Sequence, residues 1–151
     1  MKKIVSYMMT GILLLSFLLT GCGSPEPQTG KKMSMYYINT AETKVEVHEQ
    51  YLNTKTLDEQ LDETMRYLST TPEKLEYKAP LDMGFRVLDY EVEDGKLLIN
   101  VDKAYSELSP TTEVLVRAAI VRTLTQLPNV KYVGITVEDS QLYDNAGELV
   151  G

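Results

Sequence analysis

The dipeptide Asp94-Gly95 constrains the fold of this chain more than any other short segment. Asp-Gly supplies the two positive-φ residues of a two-residue hairpin turn, so the segments on either side must pair about it. The pairing predicts three apolar cross-strand pairs on one face: Val92 with Leu97, Tyr90 with Ile99, and Leu88 with Val101. The residues expected on the opposite, polar face are Asp89, Glu91, Asn100 and Asp102. A slip of one residue would scatter this pattern, so the register is specific.

Two other segments have the start signals of helices. Thr56 and Glu59 form a capping box, and apolar residues then recur at helical spacing, at Leu57, Leu61, Met65 and Leu68. Ser109 followed by Pro110 begins a second helix, which should run to about Gln126. This second helix is apolar nearly all round. It is therefore expected to contact both the sheet and another helix, or else to bind a partner protein.

The remaining pattern indicates the fold class. Strand-forming residues at 35–39, 45–48 and 133–137 predict three more strands, and residues 142–150 favour a small terminal hairpin. The predicted order is ββαββαβ. It indicates an α+β fold with a mixed β-sheet and two helices on one face.

The first 22 residues resemble the signal of a bacterial lipoprotein. Lys2 and Lys3 precede an apolar run over residues 4–19, which is short for a membrane-spanning helix. Small residues then precede Cys22. We expect residues 1–21 to be a signal peptide and the lipid on Cys22 to anchor the chain at the extracytoplasmic face of the cell membrane. An ordinary signal peptide or a short anchor with an incidental cysteine is the alternative.

The rest of the chain is predicted to be a flexible tether, residues 22–32, followed by one domain, residues 33–151. The tether is rich in Gly, Pro and Ser and has too little apolar surface to pack. The formal charge of the chain is -7, and it becomes more negative if residues 1–21 are removed. Nucleic acid is therefore not an expected partner.

Few residues suggest catalysis or metal binding. Cys22 is the only cysteine, so disulfides and thiolate metal sites are not expected. His48 is the only histidine, and strand alternation predicts that it points to a polar, solvated face rather than serving catalysis or pH sensing. Four carboxylates on the first helix, at Asp58, Glu59, Asp62 and Glu63, are more typical of a solvated face than of a weak cation site. The chain is expected to have no catalytic residues, metal or cofactor.

Four blocks of the chain resemble the GerMN domain of GerM-type lipoproteins, which act in sporulation and spore germination. The most specific block is 118–133, a helix followed by a strand. The others are Tyr36-Tyr37-Ile38-Asn39, the segment 80–87 with Pro80, Leu81, Gly84 and Val87, and Asp94-Gly95 with Asn100-Val101-Asp102. The resemblance implies a small α+β domain, similar to ring-building-motif domains, that contacts other envelope proteins and has no established catalytic residues.

These features leave three functions open. The first is a lipid-anchored interaction or assembly module that docks on an envelope protein, or on copies of itself, through a sheet edge or its second helix. The alternative is a ligand-binding or sensor-accessory lipoprotein, which needs a concave site with converging polar groups. A cell-wall hydrolase is the least favoured, because no pair of carboxylates has the spacing of a catalytic motif.

Overall fold

The computed structural model describes residues 30–72 and 76–141. The elements are β1 (Lys31–Asn39), β2 (Val45–Leu52), α1 (Leu57–Leu68), β3 (Tyr77–Lys78), β4 (Val87–Glu93), β5 (Lys96–Val101), a 3-10 helix (Lys103–Glu107), α2 (Pro110–Leu124), β6 (Tyr132–Val137) and β7 (Ser140–Gln141). Cys22 and the expected hairpin at 142–150 lie outside the described residues. Strand β1 begins two residues before the expected start of the domain.

The predicted α+β class and order of elements are confirmed, with β3 and β7 as short additions. The prediction of a single mixed sheet is wrong, because the strands form two sheets. One is antiparallel, in the order β2-β1-β3, and the other has the order β4-β5-β6-β7 with β5 and β6 parallel. The sheets stay separate because β3 pairs with β1 at only two positions, and side chains near the end of α2 occupy the same edge further along β1.

The hairpin has the predicted turn and most of the predicted register. Asp94 and Gly95 both have positive φ, 50° and 85°, and the pairs Val92–Leu97 and Tyr90–Ile99 are present. The predicted pair Leu88–Val101 is wrong. A β-bulge shifts the register, so that Val87 faces Val101 and Leu88 becomes half exposed.

Both helices begin as predicted. The Thr56 hydroxyl accepts from the Glu59 N–H at 3.3 Å, and the Glu59 carboxylate accepts from the Thr56 N–H at 3.2 Å. The Ser109 hydroxyl accepts from the Thr112 N–H at 3.1 Å, and α2 ends slightly before the predicted Gln126. These caps satisfy backbone donors that the first turn of a helix leaves unpaired.

The core lies between the helices and the two sheets. Helix α1 contacts β1, β2 and α2, and helix α2 contacts β1, β2 and β6. The largest fully buried side chains are Tyr37, Tyr105, Met35, Ile38, Leu52, Leu68, Leu97, Ile99, Ile120, Leu124, Leu127 and Val101. Phe85 meets Tyr105 edge to face with 5.0 Å between ring centroids, an arrangement that aromatic pairs favour. Stability therefore comes from packing across several elements.

Candidate functional site

His48 lies on the inner side of its sheet, not on the predicted polar face. It pairs with Met35, and directly opposed residues of an antiparallel pair share a face. Met33, Met35 and Tyr37 are all buried, so their face of β1 is the side packed in the domain. Val47 points the other way and is 55% exposed. The predicted polar face is wrong, because the burial of the facing residues of β1, and not the alternation within β2, determines the side of the sheet on which His48 lies.

His48 lines a cavity of about 190 Å³ between β1, β2 and the end of α1. We call this cavity the His48 groove, and its lining residues are Tyr37, His48, Gln50, Arg66, Tyr67, Thr70 and Pro72. The hairpin β1–β2 supplies one wall, and the last turn of α1 with the segment after it supplies the other. Residues from distant parts of the chain therefore form one concave surface.

The floor of the groove is aromatic. Tyr37 is buried and stacks on Tyr77, with ring centroids 6.4 Å apart and planes inclined by 14°. Burial, helped by the nearby Tyr67, raises the pKa of Tyr37 to about 12. The Tyr37 hydroxyl therefore stays protonated at neutral pH.

Arg66 places a positive charge at the rim of the groove. Its guanidinium carbon lies 5.0 Å from the ring centroid of Tyr67, a cation–π contact. Its Nη2 is 3.9 Å from Glu63 Oε1, at the outer limit of an ion pair, and about two thirds of the side chain is exposed. The guanidinium charge thus remains accessible to a ligand.

The acidic face of α1 is not simply solvated, and Glu63 departs most from that expectation. Glu63 is buried, and its Oε2 accepts from the Asn53 N–H, the Thr54 N–H and the Thr54 hydroxyl at 2.9, 3.2 and 2.8 Å. Asp62 accepts from the Tyr90 hydroxyl at 2.8 Å. Glu63 thus links α1 to the segment that follows β2, and Asp62 links α1 to β4. Within residues 30–72 and 76–141, no group of three or more His, Cys, Asp or Glu residues could hold a metal ion.

Helix α2 is apolar on both its buried and exposed sides, as predicted. Its buried side consists of Val116, Ala119, Ile120 and Leu124, together with Thr112 and Thr123. On the opposite side Val114 is 65% exposed and Val121 is 37% exposed. Helix α2 also contacts the sheet and the first helix, which confirms the expected double contact.

Asn100, which was predicted to lie on the polar face of the hairpin, is buried. Asn100 donates to the carboxylates of Asp89 and Asp139 at 3.0 and 2.8 Å, and accepts from the Asp139 N–H at 3.0 Å. Glu138 and Asp139 have positive φ and form the turn that covers it. Asn100 therefore fixes the β6–β7 turn on the sheet.

No short motif could have found the His48 groove from the sequence. Its lining residues span positions 37 to 72, and the only local signal was the single histidine. In the part of the chain that the structure describes, no helix is long and apolar enough to cross a membrane.

Comparison with known proteins identifies the family. The family model described as "Germane: Sporulation and spore germination" matches residues 34–143. No curated protein matches the chain. The fold is similar to the first GerMN domain of the sporulation protein GerM from Bacillus subtilis, with a TM-score of 0.59 and 14% identity over 80% of this chain and 94% of that one.

A second structure, the tandem GerMN domains of GerM from Bacillus subtilis, has a TM-score of 0.55 and 19% identity. The match covers 87% of this chain and 49% of that chain, so this chain corresponds to about half of the tandem protein. At these identities the two structures establish the fold alone. The family model covers most of the folded region, and the chain therefore belongs to the Germane family of sporulation and spore germination domains.

Proposed function

We propose that this protein is a lipid-anchored, non-catalytic interaction or assembly module on the extracytoplasmic face of the bacterial cell membrane, acting in sporulation or germination. The observation that supports it best is the exposed apolar side of α2, formed by Val114 and Val121. Family membership supports the biological setting. The partner is an envelope protein or a second copy of this chain.

The exposed valines form one stripe. Val114, Ala118 and Val121 are spaced by four and three residues, which places them on the same side of a helix. Large exposed apolar side chains that lie together are typical of protein-binding surfaces. An envelope protein with a complementary apolar patch would cover this stripe.

The stripe belongs to a helix that is held firmly. The Thr123 hydroxyl accepts from the Tyr36 N–H at 3.0 Å, and Gln126 makes two hydrogen bonds to the backbone of Ser34. The buried face of α2 also packs on β1. A surface that is already ordered loses little conformational entropy when a partner binds.

The anchor is supported by sequence. Lipoprotein signals typically have a positively charged amino terminus, an apolar segment and small residues before the cysteine. This chain has Lys2 and Lys3, an apolar run over residues 4–19, and Thr20 and Gly21 before Cys22. Cys22→Ala should release the protein from the membrane fraction or leave its signal uncleaved. Tight retention of a processed Cys22→Ala protein in washed membranes would contradict lipid anchoring.

The docking surface can be tested by photo-crosslinking in cells. A photoreactive amino acid at Val114 should capture one reproducible envelope protein in sporulating cells, and the same group at Val47 serves as the control. Val47 is also an exposed valine but lies on β2. The double substitution V114D/V121D should abolish the capture. Equal capture from Val47, or capture that survives the double substitution, would refute α2 as the docking surface.

The His48 groove supports the alternative, a ligand-binding lipoprotein. Its polar side chains converge on a concave surface, which is what such a function requires. The two functions are compatible, because the groove and the α2 stripe are formed by different residues.

A further inference from the structure

We propose that the His48 groove binds the terminal carboxylate of a short peptide. This goes beyond the docking function above and does not depend on it, because none of the groove residues belongs to α2.

The charge of the groove is opposite to that of the whole chain. The protein has 22 acidic and 15 basic residues, yet none of the described residues that line the groove is a carboxylate. Its two ionisable nitrogen side chains are the guanidinium of Arg66 and the imidazole of His48, on opposite walls. A guanidinium matches a carboxylate in both charge and hydrogen-bonding geometry. The nearest described carboxylate is that of Glu63, whose Oε1 is 3.9 Å from Arg66 Nη2 and accepts from the Tyr67 hydroxyl at 3.4 Å. Because this ion pair is long and Arg66 is mostly exposed, the guanidinium can still pair with the carboxylate of a ligand.

The groove also offers unused hydrogen-bonding groups. Among the residues that the structure describes, the side chains of His48, Gln50 and Thr70 have no hydrogen bond to another residue, while all three line the cavity. The Gln50 amide and the Thr70 hydroxyl can each donate to a carboxylate or accept from a peptide N–H. This combination suits a carboxylate attached to a peptide group better than a bare inorganic anion.

The size of the groove suits a small terminal group. A cavity of about 190 Å³ has room for about six water-sized groups, at about 30 Å³ each. That volume accommodates a carboxylate with one small residue, such as a terminal alanine. The apolar surface of Tyr37, Tyr67 and Pro72 would contact the methyl group of that residue.

Two sources could supply such a terminus outside the cytoplasm. Proteins end in L-residues, and the stem peptides of bacterial cell walls end in D-residues. The experiment therefore compares N-acetyl-L-alanyl-L-alanine with its D,D isomer, and each with its C-terminal amide. The amides keep the size and shape of the peptides and lose only the charge.

Binding is measured by two-dimensional NMR titration of the full chain in detergent micelles, with the imidazole signals of His48 as the local reporter. At least one acid should shift the His48 signals and bind at least tenfold more tightly than its amide. The preferred isomer then identifies the source of the peptide. Arg66→Gln should weaken binding at least tenfold, and Arg66→Lys should weaken it less because the charge is kept.

Arg122→Gln is the matched control, because Arg122 also lies over a tyrosine ring, that of Tyr36, but outside the groove. Its binding constant should equal that of the unmodified chain. Equal affinity for acids and amides, an unchanged His48 signal with both acids, or equal weakening by Arg66→Gln and Arg122→Gln would each overturn the proposal. Thermal unfolding of every variant distinguishes a loss of affinity from a loss of the folded structure.

Discussion

Gln126 pairs with Ser34 as a neighbouring strand would. The Ser34 N–H donates to Gln126 Oε1 at 3.0 Å, and Gln126 Nε2 donates back to the Ser34 carbonyl at 2.7 Å. One side-chain amide thus satisfies both backbone groups at an edge of β1. An exposed strand edge invites pairing with another chain, and natural proteins often cover such edges.

Removing this amide should destabilise the domain. We expect Gln126→Ala to lower the free energy of unfolding by about 1–2 kcal/mol, since two hydrogen bonds to the strand are lost. Gln126→Glu should cost more at neutral pH, because it places a carboxylate oxygen against the Ser34 carbonyl. Urea unfolding of both variants measures the difference. Unchanged stability in both would show that the pairing contributes nothing.

The turn at Asp94-Gly95 should tolerate asparagine but not valine. Gly95 has a φ of 85°, and a β-branched residue is strained there. We expect Gly95→Val to lower the free energy of unfolding by about 1–3 kcal/mol. Gly95→Asn should cost less, because asparagine adopts positive φ more readily. Both variants bring a Cβ to 3.2 Å from the flexible Lys131 side chain, so their difference in thermal unfolding isolates the backbone strain. Equal losses would contradict the strain argument.

Replacing Asn100 by a charged or an apolar residue should destabilise the domain. Its buried amide separates the carboxylates of Asp89 and Asp139 and bonds to both. We expect Asn100→Asp to lower the free energy of unfolding by about 2–4 kcal/mol at neutral pH, because a third negative charge is buried against two others. Part of the loss should disappear at acidic pH as carboxylates become protonated.

Asn100→Leu is the comparison variant. It removes the amide without adding charge, so its loss of stability should depend much less on pH. A similar pH dependence for both variants, measured by thermal unfolding, would count against charge repulsion as the cause.

Glu42 should stabilise the fold in a pH-dependent way. Hydrogen bonds from Lys78 and from the Thr112 hydroxyl hold the pKa of Glu42 below its usual value. Because the folded pKa is the lower one, this stabilisation is fully present above the usual glutamate pKa. It is lost as the pH falls through the folded pKa. Glu42→Gln should therefore reduce the melting temperature at pH 7 and have little effect near pH 3.

The control for Glu42 is Glu107→Gln, at the exposed end of the 3-10 helix. Its melting temperature should follow that of the unmodified chain across the same pH range. A Glu42→Gln deficit that stays constant from pH 7 to pH 3 would refute the linkage to ionisation.

Signals contained within a few residues predicted the local structure well. Asp94-Gly95 set the hairpin, and Thr56 with Glu59 set the start of α1, because each depends only on neighbouring backbone groups. The bulge at Leu88 was not predictable in this way. Its position depends on how β4 packs against the rest of the domain.

The candidate site was the least predictable part. The side of the sheet on which His48 lies is decided by Met35 across the strand pair, not by its neighbours in sequence. Arg66 reaches the groove only because α1 packs against β1 and β2. Long-range contacts of this kind leave no spacing in the sequence that would identify them.

The arrangement of β1 also determines how the domain would respond to force. Strand β1 is the first described strand, with β2 along one edge and β3, Thr123 and Gln126 along the other. We expect a pull delivered through the amino-terminal end of β1 to have a component along the strand. The hydrogen bonds on both edges are then loaded in shear, many at once, instead of being peeled apart one by one. The strand nearest the predicted membrane anchor is thus the one built to resist being drawn out.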